Sequence, residues 1–125
     1  EAIRAGGAGI AAFYIKTGVG TQLAEGKEER VFRGERHILV EGIRARVALI
    51  KAHRADRLGN LVYFRTARNF NPVMATAADL VIAEVDDVVE EGELDPESVV
   101  TPHNYVDVLV LSRYRKKGGV YVEAT

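Results

Sequence analysis

Apolar residues along the chain come in short blocks separated by glycine, proline and charge, and each block is the length of a strand or a short helix. Residues 1–5 read as the last turns of a helix, which Gly6-Gly7 would end as a C-cap. The block AAFYI at 11–15 predicts a short buried strand. Val31-Phe32 and the run at 37–40 predict a hairpin turning at Gly34, charged at both ends and so placed at an edge or on a face. Residues 43–46 fit one helical turn leading into an apolar run at 47–50 that continues to His53. A turn at 55–60 follows, with Gly59-Asn60 giving the backbone freedom it needs, and then a second strand at 61–64. Asn71 suits an N-cap and Pro72 the first position of a helix over 71–78, with Val73, Met74 and Ala77 on one side.

The run Leu80-Val-Ile-Ala83 shows almost no alternation, which predicts a strand buried on both faces. Strand, helix and strand in this order form a crossover unit. Residues 84–97 carry eight acids and no Lys or Arg, and Pro96 and Pro102 break the segment, so it reads as a surface loop. A last strand is expected at 105–111, ahead of a basic tail that begins at Arg113. The whole is organised around residues 51–71, where polar groups sit at strand ends, the usual place for a site in an open α/β sheet. The fold class predicted is α/β with a mainly parallel open sheet, too short to be a complete doubly wound domain.

Composition adds limits rather than direction. A chain of 125 residues is one domain by size, and 47% apolar with 28% charged residues is ordinary for a globular protein. The formal net charge of −1 gives no global field toward nucleic acid or membranes. Without cysteine there is no disulfide, thiolate metal site or thiol nucleophile, and a reducing, cytoplasmic setting is expected. No apolar run approaches the ~20 residues of a membrane span. The first residue is Glu, inside what reads as a helix, so the chain is taken as a piece of something longer.

Candidate chemistry is sparse. His37, His53 and His103 lie in separate segments without metal-ligand spacing, so no metal site is expected. Gly18-Val-Gly20-Thr21 has two of the three glycines of a dinucleotide fingerprint and no clear helix after it, which favours a turn over a phosphate cradle. Seven basic residues lie between Arg44 and Arg68, interleaved with Tyr63 and Phe64. They suggest a nucleic-acid face, but strand alternation would split them, and ion pairs to the acidic 84–97 segment are the stronger expectation. That segment lacks the alternating pattern and glycine of a calcium loop. Nothing around Glu25 would desolvate or orient it as a nucleophile.

Several blocks, taken in order, carry a resemblance. They are IRAGGAGI at 3–10, AFY at 12–14, TGVGT at 17–21, AEGKE at 24–28, ADRLGNLVY at 55–63, TARNFNP at 66–72, GELDP at 92–96, and Tyr105-Val-Asp107. Together they closely resemble the A subunit of the 3-oxoacid CoA-transferases over residues 1–111, but only its second part. The glycine-rich N-terminal portion expected of that subunit has no counterpart here. Residues 112–125 form a basic tail outside the resemblance.

The resemblance implies an α/β sheet of the CoA-transferase type, incomplete at its N-terminal side and packed against a B subunit. It implies transfer of CoA from an acyl-CoA such as succinyl-CoA to a 3-oxoacid such as acetoacetate. Coenzyme A is then a substrate, with no permanently bound cofactor. A glutamate carboxylate of the B subunit would attack the thioester, so no catalytic residue is expected in this chain. Phe13, Tyr14, Thr17, Gly18, Gly20 and Thr21 are the candidates to wall the acyl site. Asn60, Arg68, Asn69 and Asn71 are expected to hold the neighbouring junction through side-chain-to-backbone bonds. Some positions depart from the family: Ala11 replaces a proline, His53-Arg54 replaces Trp-Lys, and Phe64 and the region of Asn104 are atypical. Two other readings stay open, an inactive partner-binding remnant of this fold and a basic-face nucleic-acid binder. No membrane partner is expected.

Overall fold

The structure, a computed structural model, describes residues 1–117 and 120–123. It opens with helix α1 (Ala2–Gly7) and a small antiparallel sheet of β1 (Ala12–Ile15), β2 (Glu29–Phe32) and β3 (Glu35–Glu41), ordered β1-β3-β2. The β2–β3 hairpin turns where expected. Arg33 and Gly34 both take positive φ, +50° and +77°, as a two-residue hairpin loop with right-handed strand twist requires. Gly6 and Gly7 lie inside α1 rather than capping it. They are there for close approach: a Cβ on Gly6 would stand 1.8 Å from the Ile43 carbonyl oxygen. Residues 43–44 form no helical turn and lead directly into a strand.

The second sheet is the body of the protein. Its strands are β4 (Ala45–Asp56), β5 (Leu61–Val62), β6 (Ala78–Val89) and β7 (Val108–Leu111), in the order β5-β4-β6-β7. β5 is antiparallel to β4, while β4, β6 and β7 run parallel. The β4–β6 crossover holds β5, a 3-10 turn at Arg65–Arg68, and helix α2 (Asn71–Thr76). Both long strands exceed the lengths predicted. β6 runs through Val89 instead of giving way to a loop at 84, because acids on it and just past its end face cations on β4 and at its two ends. The pairs are Arg44–Asp79 at 2.9 Å, Lys51–Asp86 at 2.6 Å, Lys51–Glu84 at 3.3 Å, Arg54–Asp87 at 3.6 Å and Arg57–Glu90 at 2.7 Å. The expected pairing of basic and acidic segments is therefore formed as a cross-strand ladder.

One face of this sheet is the core. Ala48, Ile50, Ala52, Val81, Ala83 and Val85 are buried there against Leu61, Tyr63 and Ala75. The alanines let α2 lie close to the sheet. The opposite face is open: Leu49 is 69% exposed, and Val47, Leu80, Val108 and Val110 are exposed beside it. The expectation that Leu80-Val-Ile-Ala83 is buried on both faces is thus corrected, since Val81 and Ala83 point into the core while Leu80 points out.

β5 ends at Val62, and residues 63–64 leave the sheet for the 3-10 turn. The strand expected at 105–111 starts only at Val108, after a 3-10 turn at His103–Tyr105. In the basic tail, β8 (Tyr114–Lys117) and β9 (Val120–Glu123) pair as antiparallel strands. Residues 118–119 and 124–125 of the tail lie outside the described residues.

Candidate functional site

The carboxyl ends of β4 and β6 carry the most developed polar structure. Asp56, the last residue of β4, is buried, and its carboxylate accepts from Gly59 N at 3.0 Å, Asn60 N at 2.9 Å and Asn60 Nδ2 at 2.7 Å. Burial pushes the Asp56 carboxyl up, but the hydrogen bonds from Asn60, Gly59 and Leu58 outweigh it and hold it below its ordinary value. Asn60 Oδ1 accepts from His103 N at 2.9 Å, which ties the hairpin turn to the loop ahead of β7. A cavity of about 360 Å³ opens here, lined by Asp56, Leu58, Asn60, Gly92, Leu94, Pro96 and Val99. Beneath it, the buried Tyr63 hydroxyl bonds Thr101 Oγ1 at 2.6 Å, and burial pushes the phenol up.

The junction around α2 is held by backbone-directed side chains. Asn71 is the first helical residue and Phe70 is the N-cap, so the expected cap at Asn71 is corrected. The Asn71 side chain works sideways. Its Oδ1 accepts from Lys51 N at 3.0 Å and its Nδ2 donates to Ala67 O at 2.8 Å. It thereby pairs the edge of β4 beyond the end of short β5. Arg68 Nε donates to Tyr63 O at 3.4 Å, while Asn69 makes no side-chain hydrogen bond among the described residues. A second cleft of about 360 Å³ lies on the open face, lined by Leu49, Ile50, Lys51, Asn71, Ile82, Glu84 and Val110.

Two positions expected to be atypical, His53 and Phe64, meet in space. The His53 ring stands 5.3 Å from the Phe64 ring, and Arg65, at φ +52°, lays its guanidinium 4.8 Å from the Phe64 centroid. Phe64 thus supplies apolar ring surface beside His53. His53 Nδ1 also lies 3.3 Å from Asp86 Oδ2. Burial pushes the Asp86 carboxyl up, yet Lys51 and His53 pull it down further, so it sits below its usual range.

The acyl-site candidates do not share one surface. Phe13 and Tyr14 are consecutive on β1 and so point to opposite faces of the small sheet. Tyr14 pairs with Leu39 and faces the side of Arg30, Phe32 and His37, while Phe13 pairs with Val40 on the other side. Gly18 and Gly20 take φ of +88° and +76°, as a turn requires. Thr21 Oγ1 donates to Gly18 O at 2.6 Å and accepts from Leu23 N at 3.3 Å, which closes the loop on itself. Thr17 is exposed at its start. The Asp56 and Lys51–Asp86 clusters escaped sequence reasoning. The Asp three residues before Gly59-Asn60 was the usable signal, because such spacing lets a carboxylate bond its own turn.

Among the described residues no group of His, Cys, Asp and Glu could hold a metal ion. Among the described residues no helix is long and apolar enough to cross a membrane. Every described glutamate is exposed to solvent, so none is desolvated for nucleophilic attack.

Comparison with known proteins completes the picture. The family described as Coenzyme A transferase matches residues 1–112. The A subunit of a probable succinyl-CoA:3-ketoacid coenzyme A transferase from Bacillus subtilis is 52% identical over 94% of this chain and 49% of its own length. The A subunit of the 3-oxoadipate CoA-transferase of Pseudomonas putida is 54% identical over 88% of this chain and 48% of its own. The chain thus spans about half the length of these relatives. In fold it is similar to an acyl-CoA transferase from Escherichia coli O157:H7 solved as a thioester complex with CoA. The TM-score is 0.80 at 20% identity, over 99% of this chain and 28% of that one.

Proposed function

The chain belongs to the coenzyme A transferase family, and on that premise we propose that it is part of the A subunit of an acyl-CoA:3-oxoacid CoA-transferase built from two kinds of subunit. The observation that carries this reading is its identity of 52% over 94% of the chain to an A subunit of succinyl-CoA:3-ketoacid type. Succinyl-CoA is the donor and a 3-oxoacid such as acetoacetate the acceptor, in a cytoplasmic assembly. Coenzyme A enters and leaves as substrate.

The nucleophilic glutamate stands on the partner B subunit. Its carboxylate attacks the acyl-CoA thioester to give an acyl-glutamyl anhydride and CoA thiolate, and the thiolate attacks the glutamyl carbonyl, expelling the donor acid and leaving an enzyme–CoA thioester. The acceptor carboxylate then attacks that thioester and the exchange runs in reverse, so that the acceptor leaves as its CoA ester and the free glutamate is restored. Support from this chain is negative and positive. Its described glutamates are all exposed, and its polar residues fix backbone rather than aim at a reacting atom. Its part is to form walls: the loop of Thr17, Gly18, Gly20 and Thr21, backed by Phe13, borders the acyl group, and Tyr14 lies at the seam with the partner. Asn60, Arg68, Asn69 and Asn71 keep the adjoining strand ends in place. The open apolar face of β4, β6 and β7 is covered by the remainder of the same subunit, because a parallel sheet is stable only when both faces are buried.

The test is to co-express the complete A subunit carrying residues 1–125 with its B partner and to assay succinyl-CoA against acetoacetate and 3-oxoadipate as acceptors. Transfer to acetoacetate at the higher kcat/KM supports the reading. Preference for 3-oxoadipate moves the substrate to that of the Pseudomonas relative, and no CoA transfer by the assembled pair overturns it.

A further inference from the structure

Two exposed surfaces of this chain differ in chemistry. The open face of the larger sheet is Val, Leu and Ile, the composition of a core cut in half. The small sheet instead presents Tyr14, Arg30, Phe32 and His37 together on one face. Tyr14 and Phe32 meet edge to face at 5.1 Å between centroids, and Phe32 and His37 at 5.2 Å. The Arg30 guanidinium lies 6.0 Å from the Tyr14 centroid and 5.9 Å from that of Phe32. The Tyr14 hydroxyl donates to Glu28, which turns the ring in place. His37 Nδ1 sits 2.8 Å from Glu35 O, which fixes the imidazole.

The Tyr14 and His37 rings are each tied by a hydrogen bond, yet little of the sheet that carries them is buried. Only Ile38 of the three strands is fully enclosed, and every residue of β2 is exposed, Val31 by 62%. A three-stranded sheet with one buried apolar side chain draws little stability from its own packing. Lys16 pairs with Glu35 and Arg36 with Glu29, but among the described residues Arg30 and Arg33 make no ion pair. The platform therefore offers the Arg30 guanidinium beside an aromatic centre. Aromatic residues and arginine are the residues enriched at subunit interfaces and at their energetic centres. A cleft of about 460 Å³ lies beside this face, lined by Gly26, Lys27, Glu28, Leu39 and Glu41 among others, but Arg30, Phe32 and His37 do not line it.

We infer that the Tyr14–Arg30–Phe32 face of the small sheet is where the partner B subunit docks, by an apolar patch flanked by a carboxylate that answers Arg30. The inference rests on the two-subunit reading above and assigns the contact to one surface. Phe32 fills the centre of the contact, and Arg30, already drawn toward both rings, loses less freedom when it pairs.

The experiment measures affinity between the complete A subunit and its B partner by isothermal titration, for wild type, Phe32→Ala and Arg30→Glu, with circular dichroism of each free variant. Arg30 is exposed and makes no ion pair within the described residues, so Arg30→Glu preserves the fold and carries the test if Phe32→Ala does not. Weakening by roughly 30-fold or more in either folded variant is the expected result. An affinity that changes less than threefold in every folded variant overturns the docking face and leaves the two-subunit reading intact. Unchanged affinity between the subunits with a raised KM for acyl-CoA assigns the platform to the nucleotide end of the substrate and also overturns it. Failure of the wild-type subunits to associate overturns the two-subunit reading itself.

Discussion

Removing the Asp56 carboxylate tests whether the end of β4 is a built junction or a loose turn. The group is 5% exposed and accepts three hydrogen bonds, from Gly59 N, Asn60 N and Asn60 Nδ2. A hydrogen bond to a charged group contributes about 1.5–3 kcal/mol, and three on one carboxylate overlap, so Asp56→Ala should cost about 3 kcal/mol. Asp56→Asn should fall between, because its new amide faces Asn60 Nδ2, donor against donor. Asn60 cannot turn over to relieve this without losing its bond to His103 N. The pH dependence has a fixed sign. The folded carboxyl lies below its ordinary value, so its stabilisation is complete above the unfolded pKa of about 3.9 and is lost as pH falls through the lower folded one. Urea unfolding followed by circular dichroism at pH 7 and at several lower values reads both effects. A penalty under about 1 kcal/mol at pH 7, or a gap that widens in acid, would refute the reasoning.

Other consequences follow from single contacts. Asn71→Ala deprives Lys51 N and Ala67 O of their partners and should cost about 1–2 kcal/mol in the same unfolding assay; an unchanged midpoint would show that water replaces the side chain. Gly6→Ala should cost about 2–3 kcal/mol, because its Cβ meets the Ile43 carbonyl and backbone has to give. Gly9→Ala, in open space at φ +74°, should cost only about 1 kcal/mol, and equal penalties would argue against close packing at Gly6. The isolated 125-residue chain should self-associate through its open sheet face, and Leu49→Lys should shift it toward monomer in sedimentation velocity. A distribution indifferent to that change would place the association elsewhere.

Periodicity finds the elements but not always their ends. The hairpin at Gly34 and the strands around Ile50 and Val81 are legible, because turn glycines and apolar blocks are local signals. The length of β6 is not. Its acid-rich second half resembles a solvated loop until Lys51, Arg54 and Arg57 are seen to oppose it. Leu80 and Ile82 read as buried because they are apolar, but which face a strand covers depends on what lies against it, and among the described residues one face here is left largely open, with Leu80 exposed and Ile82 half-buried. The Asn-Pro pair marks Asn71 as a junction residue, while its bond to Lys51 N, twenty residues away, is tertiary and leaves no local trace. The Gly18–Thr21 turn is legible from its glycines. That Phe13 and Tyr14 face apart follows from alternation once β1 is known to be a strand.

The most direct test of the account is where CoA becomes attached. The complete A subunit, once assembled with its B partner, should be mixed with succinyl-CoA without an acceptor acid, quenched, and each polypeptide weighed intact by mass spectrometry. The account predicts a CoA adduct only on the B subunit, lost on adding acetoacetate, with no adduct or turnover from the 125-residue chain by itself. An adduct on one of this chain's glutamates, or transfer by the purified chain, would contradict it.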